Sequence, residues 1–589
     1  MMRIRCGTVG NMTSRRLVSG SFVILCSFWF AQSTFAQQIS IINSAHNLSA
    51  SGPGAVRAVS EQEVCIFCHT PHNASPVQPL WNRTLPANSY IVYSSTSLQA
   101  KPGQPTGTSK LCLSCHDGTI AVGSVLSRGQ PIAMAGGVTT LQPGHGNIGT
   151  DLSDDHPISF VYDTTLTAQD PKIKAPGALP SQVKLDTNKE LQCTSCHDAH
   201  NNAFGKFLVM DNSNSQLCSS CHQINDTSIA AHVTCASCHT MHSAPSGAML
   251  LTEVNASQTC LACHSAQSNP NQGTNIEQDL NKLSKHATIP VPVMPASVGC
   301  NDCHEPHSMR DGVAAAPLIS PKLGKVSGVT ISGGLITPAQ FEYEVCFKCH
   351  GQSAVVQSTI PRLVQQNDTR LEFASNAISF HPVAAAGRSS DVPSLRSGHT
   401  TGSIIACTDC HSSDTSTAAG ASGPNGPHGS NAPPLLIARY DTFDNSPESA
   451  TAYALCYRCH DRTSILNNES FSEHSRHIQT ASTPCSICHD PHGISSAQGT
   501  TAGNAHLINF DTTIVQPDPV SGRLEYRSTG PRTGTCTLSC HGVAHTDQQY
   551  PALPDGALFV PQGIRRSRQN TVTPPSIPTR RPSSPPRAF

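Results

Sequence analysis

The apolar positions of this chain are spread unevenly. One continuous run, Leu17 to Phe30, stands near the start, and no later segment is apolar enough to span a membrane. Beyond it, Pro, Gly, Ser and Thr interrupt every stretch in which a helical or strand period could build up. With 44 prolines and 42 glycines, the pattern predicts long coil broken by short helices and little β-structure. Residues 311–340, rich in Gly, Pro and Ala, read as a loop or short hairpin. From about Gln562 the chain becomes Pro-rich and basic, with Arg565, Arg566, Arg568, Arg580, Arg581 and Arg587 and no acid over 565–589, and reads as a disordered tail.

The first apolar run reads as an export signal. Arg3, Arg5, Arg15 and Arg16 precede it, and Thr34-Phe35-Ala36 offers the small residues of a cleavage site after Ala36. Met12 to Ala36 is a complete signal by itself. Only 5% of the 589 residues are aromatic and 13% charged, and the net charge of -1 gives no reason to expect nucleic acid. So little large apolar surface leaves the interior to be filled by something other than side chains.

Cysteine changes the picture. Of 26 cysteines, Cys6 and Cys26 lie in the signal and the other 24 form twelve pairs, each followed directly by histidine. In chain order these are Cys65/Cys68/His69, Cys112/Cys115/His116, Cys193/Cys196/His197, Cys218/Cys221/His222, Cys235/Cys238/His239 and Cys260/Cys263/His264. Then come Cys300/Cys303/His304, Cys346/Cys349/His350, Cys407/Cys410/His411, Cys456/Cys459/His460, Cys485/Cys488/His489 and Cys536/Cys540/His541. Eleven read C-x-x-C-H, and the last reads C-x-x-x-C-H.

C-x-x-C-H is the attachment signature of haem c. Two thiols reach the two vinyl groups on one edge of the macrocycle from one helical turn, and the adjacent imidazole points at the iron. Chance would give about 0.06 copies in a chain of this composition. Zinc does not require histidine after every second cysteine, and disulfides leave the histidines unexplained. The expectation is twelve covalent haems, with the macrocycles filling the interior.

The motifs recur in pairs. CTSCHDAH…QLCSSCH is followed 42 residues later by CASCHTMH…QTCLACH, and first-to-second spacings of 47, 25, 25, 46, 49 and 51 residues divide the chain into six two-motif repeats. Five of the first motifs continue as C-H-x-x-H, which places His72, His200, His242, His307 and His492 three residues past the motif histidine. The fifth repeat has His428 in Gly426-Pro427-His428-Gly429 instead. Upstream of the motifs lie His46, His156, His232, His286, His381 and His477 (or His474). These twelve, with His545 as a substitute, are the candidate distal ligands. Twelve two-histidine sites need 24 of the chain's 29 histidines. A histidine three residues on lies beside the motif histidine rather than across the ring from it, so it is expected to bind a neighbouring haem and draw two haems together. Iron held by two histidines has no open position, which suits electron transfer rather than catalysis.

The stretch HNLSASGPG…EVCIFCHTPHNA…PLWNR…LCLSCHDGTIAVGS, with DDHPISF after it, resembles multihaem cytochromes of metal-reducing bacteria. The paired motifs elsewhere resemble the doubled C-x-x-C-H cytochromes, and together the likeness spans roughly residues 40–545. The resemblance implies two-histidine haems, a periplasmic or outer-surface location and electron delivery to extracellular acceptors. Its partners would be redox-protein donors and acceptors, other multihaem cytochromes or an outer-membrane conduit, with self-assembly into filaments in some relatives. The absence of a histidine three residues past His411 departs from that pattern. A multihaem oxyanion reductase with one open haem, or a subunit of a cytochrome filament, are the alternatives.

The expected organisation is therefore a signal at 1–36, a first two-haem repeat at 37–165, and a dense haem region at 166–310 with a linker at its start. A second haem region follows at 311–545 and a basic Pro-rich tail at 546–589.

Overall fold

The computed structural model describes residues 41–551 apart from 76–79, 145, 225, 267–273, 287–297 and 353–359. The export signal, His145 and the basic stretch of the tail lie outside the described residues. The chain is mostly irregular, with short helices and two-residue strands. It divides into two units: residues 1–224 with 234–254, and 225–233 with 255–589. The division falls inside the segment read as one dense region. The loop over 311–340 contains the expected hairpin, Gly328–Val329 paired with Leu335–Ile336. Among the described residues no helix is long and apolar enough to cross a membrane.

Helical turns occur where the attachment motifs dictate them. Eleven of the twelve cysteine pairs lie on a short α- or 3-10 turn, from Cys65–Phe67 to Cys485–Cys488. The motif histidine's own N–H closes the turn on the carbonyl of the first cysteine, as for His69, His304 and His411 at 2.8–2.9 Å. The residue before the second cysteine fastens the entry. Ser195, Asp302 and Asp409 accept the backbone N–H of Gln192, Gly299 and Ala406 at 3.1, 2.7 and 2.7 Å. This is a local capping arrangement that needs only a short polar side chain at that position.

The twelfth motif folds differently. Three antiparallel strands, β1 (Glu525–Gly530), β2 (Thr533–Cys540) and β3 (Val543–Tyr550), form the largest sheet, and Cys536 and Cys540 lie on β2. His541 and Gly542 form the two-residue turn between β2 and β3, both at positive φ (51° and 75°), as a type I′ hairpin requires. The sheet also runs through Tyr550, so the start of the segment read as a tail is ordered strand.

The apolar core is scattered in small clusters, and each of the larger ones is completed by attachment cysteines. Ile66, Phe67 and Val122 pack with Cys68 and Cys115, and Tyr453 and Ile478 with Cys456 and Cys485. Ile487, Phe510 and Leu538 pack with Cys488, Cys536 and Cys540. Arg83 is fully buried between the first two motifs. Its guanidinium donates to the carbonyls of Ser114, Ala121, Val122 and Ser124 at 2.7–3.2 Å.

Candidate functional site

Histidines are brought together in pairs. The partners are His46–His116, His69–His200, His156–His222, His197–His242 and His232–His264. Then follow His286–His350, His304–His428, His381–His460, His411–His492, His474–His489 and His477–His545. Each of these histidines belongs to one pair only. Ring centroids stand 6.1–6.4 Å apart in every case, whereas the angle between ring planes runs from 14° to 80°. Stacking would bring rings closer, as in the 4.1 Å contact of His46 with Phe207. A fixed distance with a free angle is what one atom between two ring nitrogens imposes. Metal–imidazole bonds of about 2 Å on either side put the centroids about 6 Å apart.

In most of these histidines the other ring nitrogen is occupied. Nδ1 of the motif histidines His116, His197, His239, His264, His304 and His489 meets a backbone carbonyl at 2.6–3.1 Å. His46, His156, His286 and His477 do the same at 2.9–3.1 Å. Three of the histidines that follow a motif at the third position use carboxylates instead: His242 on Asp155 at 2.9 Å, His307 on Glu305 at 2.9 Å and His492 on Glu372 at 3.4 Å. Such partners fix the tautomer and turn Nε2 toward the metal. Burial pushes His156, His411, His428, His460 and His489 down to about 4 and His474 to about 3. Their imidazoles are therefore neutral at pH 7 and carry the lone pair a metal needs.

Among the described residues no group of three or more His, Cys, Asp or Glu is arranged to hold a bare ion. Two axial imidazoles and two thiols at the edge fit a metal whose equatorial ligands come from a macrocycle. The donor set therefore suits haem c rather than zinc.

The cysteine sulfurs, which would be thioethers in the loaded protein, are near neighbours in sequence order. The first cysteines of adjacent motifs are neighbours across repeats: Cys112 with Cys193, Cys218 with Cys235, Cys260 with Cys300, Cys346 with Cys407 and Cys456 with Cys485. Within four of the repeats the second cysteine is the near neighbour. Burial followed by Cys115 raises Cys68 to about 12, burial followed by Cys221 raises Cys196 to about 12, and burial followed by Cys459 raises Cys410 to about 12. Cys488 is raised to about 12 by burial and then by Cys536 and Cys540. Successive attachment sites are thus contiguous inside each unit.

The third and fourth repeats are arranged differently. Cys238, which follows the turn Cys235–Ser237, and Cys263, on the helix Ala256–His264, are half-buried like most of the motif cysteines. They close the two motifs of the third repeat, and that repeat is divided, with Cys238 in the first unit and Cys263 in the second. Cys349, on the helix Glu342–His350, is exposed. That helix buries Tyr343, Val345 and Phe347, which turns Cys349 outward. In the same repeat Cys303 is raised to about 11 by burial and then by Cys346, with Cys349 a lesser neighbour. The macrocycle at this site would therefore have one attachment corner at the surface.

The histidines at the third position reach backward. His200 of the second repeat faces His69 of the first, His242 of the third faces His197 of the second, and His492 of the sixth faces His411 of the fifth. In the fifth repeat, which lacks this histidine, His428 faces His304 of the fourth. His72 belongs to the first repeat. It is exposed, and among the described residues no imidazole faces it. His474 and His477, read as alternatives, each have a partner of their own. His541 is not brought to an imidazole among the described residues; its Nε2 meets both oxygens of Asp444 at 2.8 and 2.9 Å.

Comparison with known families finds two matches. Residues 336–501 match the family of outer membrane cytochrome MtrC/MtrF-like proteins, domains II/IV. Residues 187–227 and 229–269 each match the doubled CXXCH motif family. No curated protein matches the chain.

Proposed function

We propose that this chain, a multihaem c-type cytochrome, carries electrons along a row of twelve haems in extracellular respiration. The observation that carries the reading is the uniform 6.1–6.4 Å spacing of eleven histidine pairs. Haem c supplies one-electron exchange at its iron. The protein's part is attachment, axial ligation and spacing. Cysteine pairs, eleven of them on helical turns, would fix each haem by one edge. Paired histidines would close the iron to substrates, and where Nδ1 has a partner it keeps Nε2 in place. Neighbouring sulfurs would keep one haem edge beside the next.

Two imidazoles per iron also forgo the raised potential that a methionine ligand gives, which suits donation to acceptors of modest potential. The match to outer membrane cytochrome domains supports export to the periplasm or outer surface, with other multihaem cytochromes or an outer-membrane conduit as partners. Electron transfer rather than catalysis is the role that closed irons support.

The test is the mass of the purified holoprotein together with electron paramagnetic resonance of its oxidised form at low temperature. Twelve haems, all low-spin, are expected. A stoichiometric high-spin haem would replace this reading with that of a reductase having one open iron.

A further inference from the structure

The twelfth attachment motif departs from the others in its spacing, its fold and its histidine, and the three departures have one cause. On β2 the side chains of Cys536, Leu538 and Cys540 alternate with those of Thr537 and Ser539. All three reach the cluster built on Ile487, Phe510 and Val515, so they share the inner face. His541 follows directly, but it occupies the hairpin turn with φ 51°. The turn carries its imidazole off that face and onto Asp444, which engages Nε2, the nitrogen that an iron would need.

Another histidine stands on the inner face. His545 on β3 is the cross-strand partner of Leu538, and cross-strand partners project to the same side of a sheet. That places it beside the residue midway between the two cysteines. Its ring faces His477 at 6.3 Å, inside the range of the other pairs, and this is the one described pair that contains no motif histidine. Nδ1 of His545 is held by the Tyr550 hydroxyl at 2.7 Å and Nδ1 of His477 by the Glu473 carbonyl at 2.9 Å, so both leave Nε2 for a metal.

We propose that the haem attached at Cys536 and Cys540 takes its axial ligands from His477 and His545, and that His541 is not an iron ligand. The site is thus C-x-x-x-C-H-x-x-x-H, in which the second histidine does what the first does elsewhere. The first is a turn residue braced by Asp444. This rests on the reading of the chain as a twelve-haem protein and adds the ligand set of one site.

The test compares H541A and H545A holoproteins by haem count from intact mass and by spin state from electron paramagnetic resonance. H541A is expected to keep every haem low-spin. H545A is expected to convert one haem in twelve to high-spin. A high-spin haem in H541A, or an unchanged low-spin spectrum in H545A, overturns the proposal. Should either variant fail to mature, the cryo-electron-microscopy map of the wild-type holoprotein decides the same question. Density joining the twelfth iron to His545 supports the assignment, and density to His541 overturns it. A wild-type mass showing no haem at Cys536 and Cys540 would overturn the twelve-haem reading itself.

Discussion

The thiol of Cys112 lies beside that of Cys193, although the long insertion between the second and third motifs separates them in sequence. The contact belongs to a series: first cysteines meet between repeats, and second cysteines approach within most of them. In the loaded protein these sulfurs would be thioethers, which would place the rims of successive haems beside one another.

Electronic coupling between haems is the first consequence. The Soret circular dichroism of the oxidised protein should be bisignate and several-fold larger than that of the protein unfolded in guanidinium with its haems still attached. A single weak band of one sign in the folded protein would mean that the chromophores lie too far apart to interact.

A histidine that reaches back to the preceding repeat makes an unusual genetic prediction. H492A should produce one high-spin haem, and that haem should be the one held by His411 rather than by the adjacent His489. The double variant H411A/H492A should therefore still contain only one high-spin haem, because both changes strike the same iron. H489A/H492A should contain two. H72A, at an exposed position with no imidazole opposite it among the described residues, should leave the spectrum unchanged.

Arg83 offers a test of stability. Its guanidinium is fully buried and donates to four backbone carbonyls within and just after the second motif. Arg83→Ala leaves those carbonyls without their donor and opens a void, at a cost of about 3 kcal/mol or more. Guanidinium unfolding followed by tryptophan fluorescence should show it. Trp81, two residues away, reports on this region.

Acid should weaken the region around the tenth motif in a defined direction. Arg462 holds the Glu448 carboxyl below its ordinary value of 4.5 through hydrogen bonds at 2.6 and 2.8 Å, and the Tyr457 hydroxyl adds a third at 3.0 Å. The lowered value means that the unfolded chain binds the proton more readily. The stabilisation is therefore complete above pH 4.5 and is lost as pH falls through the lowered value. Glu448→Gln should cost about 1 kcal/mol near neutrality, and the gap from the wild type should close toward the acid end. Unfolding midpoints measured between pH 3 and 7 check this.

Much of this was legible from spacing alone. Two residues between cysteines select a helical turn wherever they occur, and eleven motifs form one. The histidine three residues on cannot reach its own iron, and His200, His242 and His492 do face histidines of other motifs. What spacing could not supply was the partner. His46, His156 and His381 meet motif histidines through long insertions whose paths depend on tertiary packing. The exposure of Cys349 was equally out of reach, because it depends on which side of its helix packs. The twelfth motif did carry a local signal. Thr-Cys-Thr-Leu-Ser-Cys alternates polar and apolar positions with β-favouring threonines, and His541-Gly542 has the form of a two-residue turn. The attachment signature obscured that strand pattern, because eleven identical precedents argued for a helix. His474 and His477 illustrate the other limit. Two histidines three apart read as alternatives, but each serves a different partner because the helical segment there presents both to the interior.

The alternation of sulfur contacts makes the order of the motifs in sequence their order in space within each unit. An added two-motif repeat, such as the 42-residue unit that separates Cys193 from Cys235, would present a second cysteine to its own partner and first cysteines to both neighbours. It would also bring a histidine for the repeat before it and accept one from the repeat after it. Gene duplication can therefore lengthen such a protein in whole units without redesigning either end.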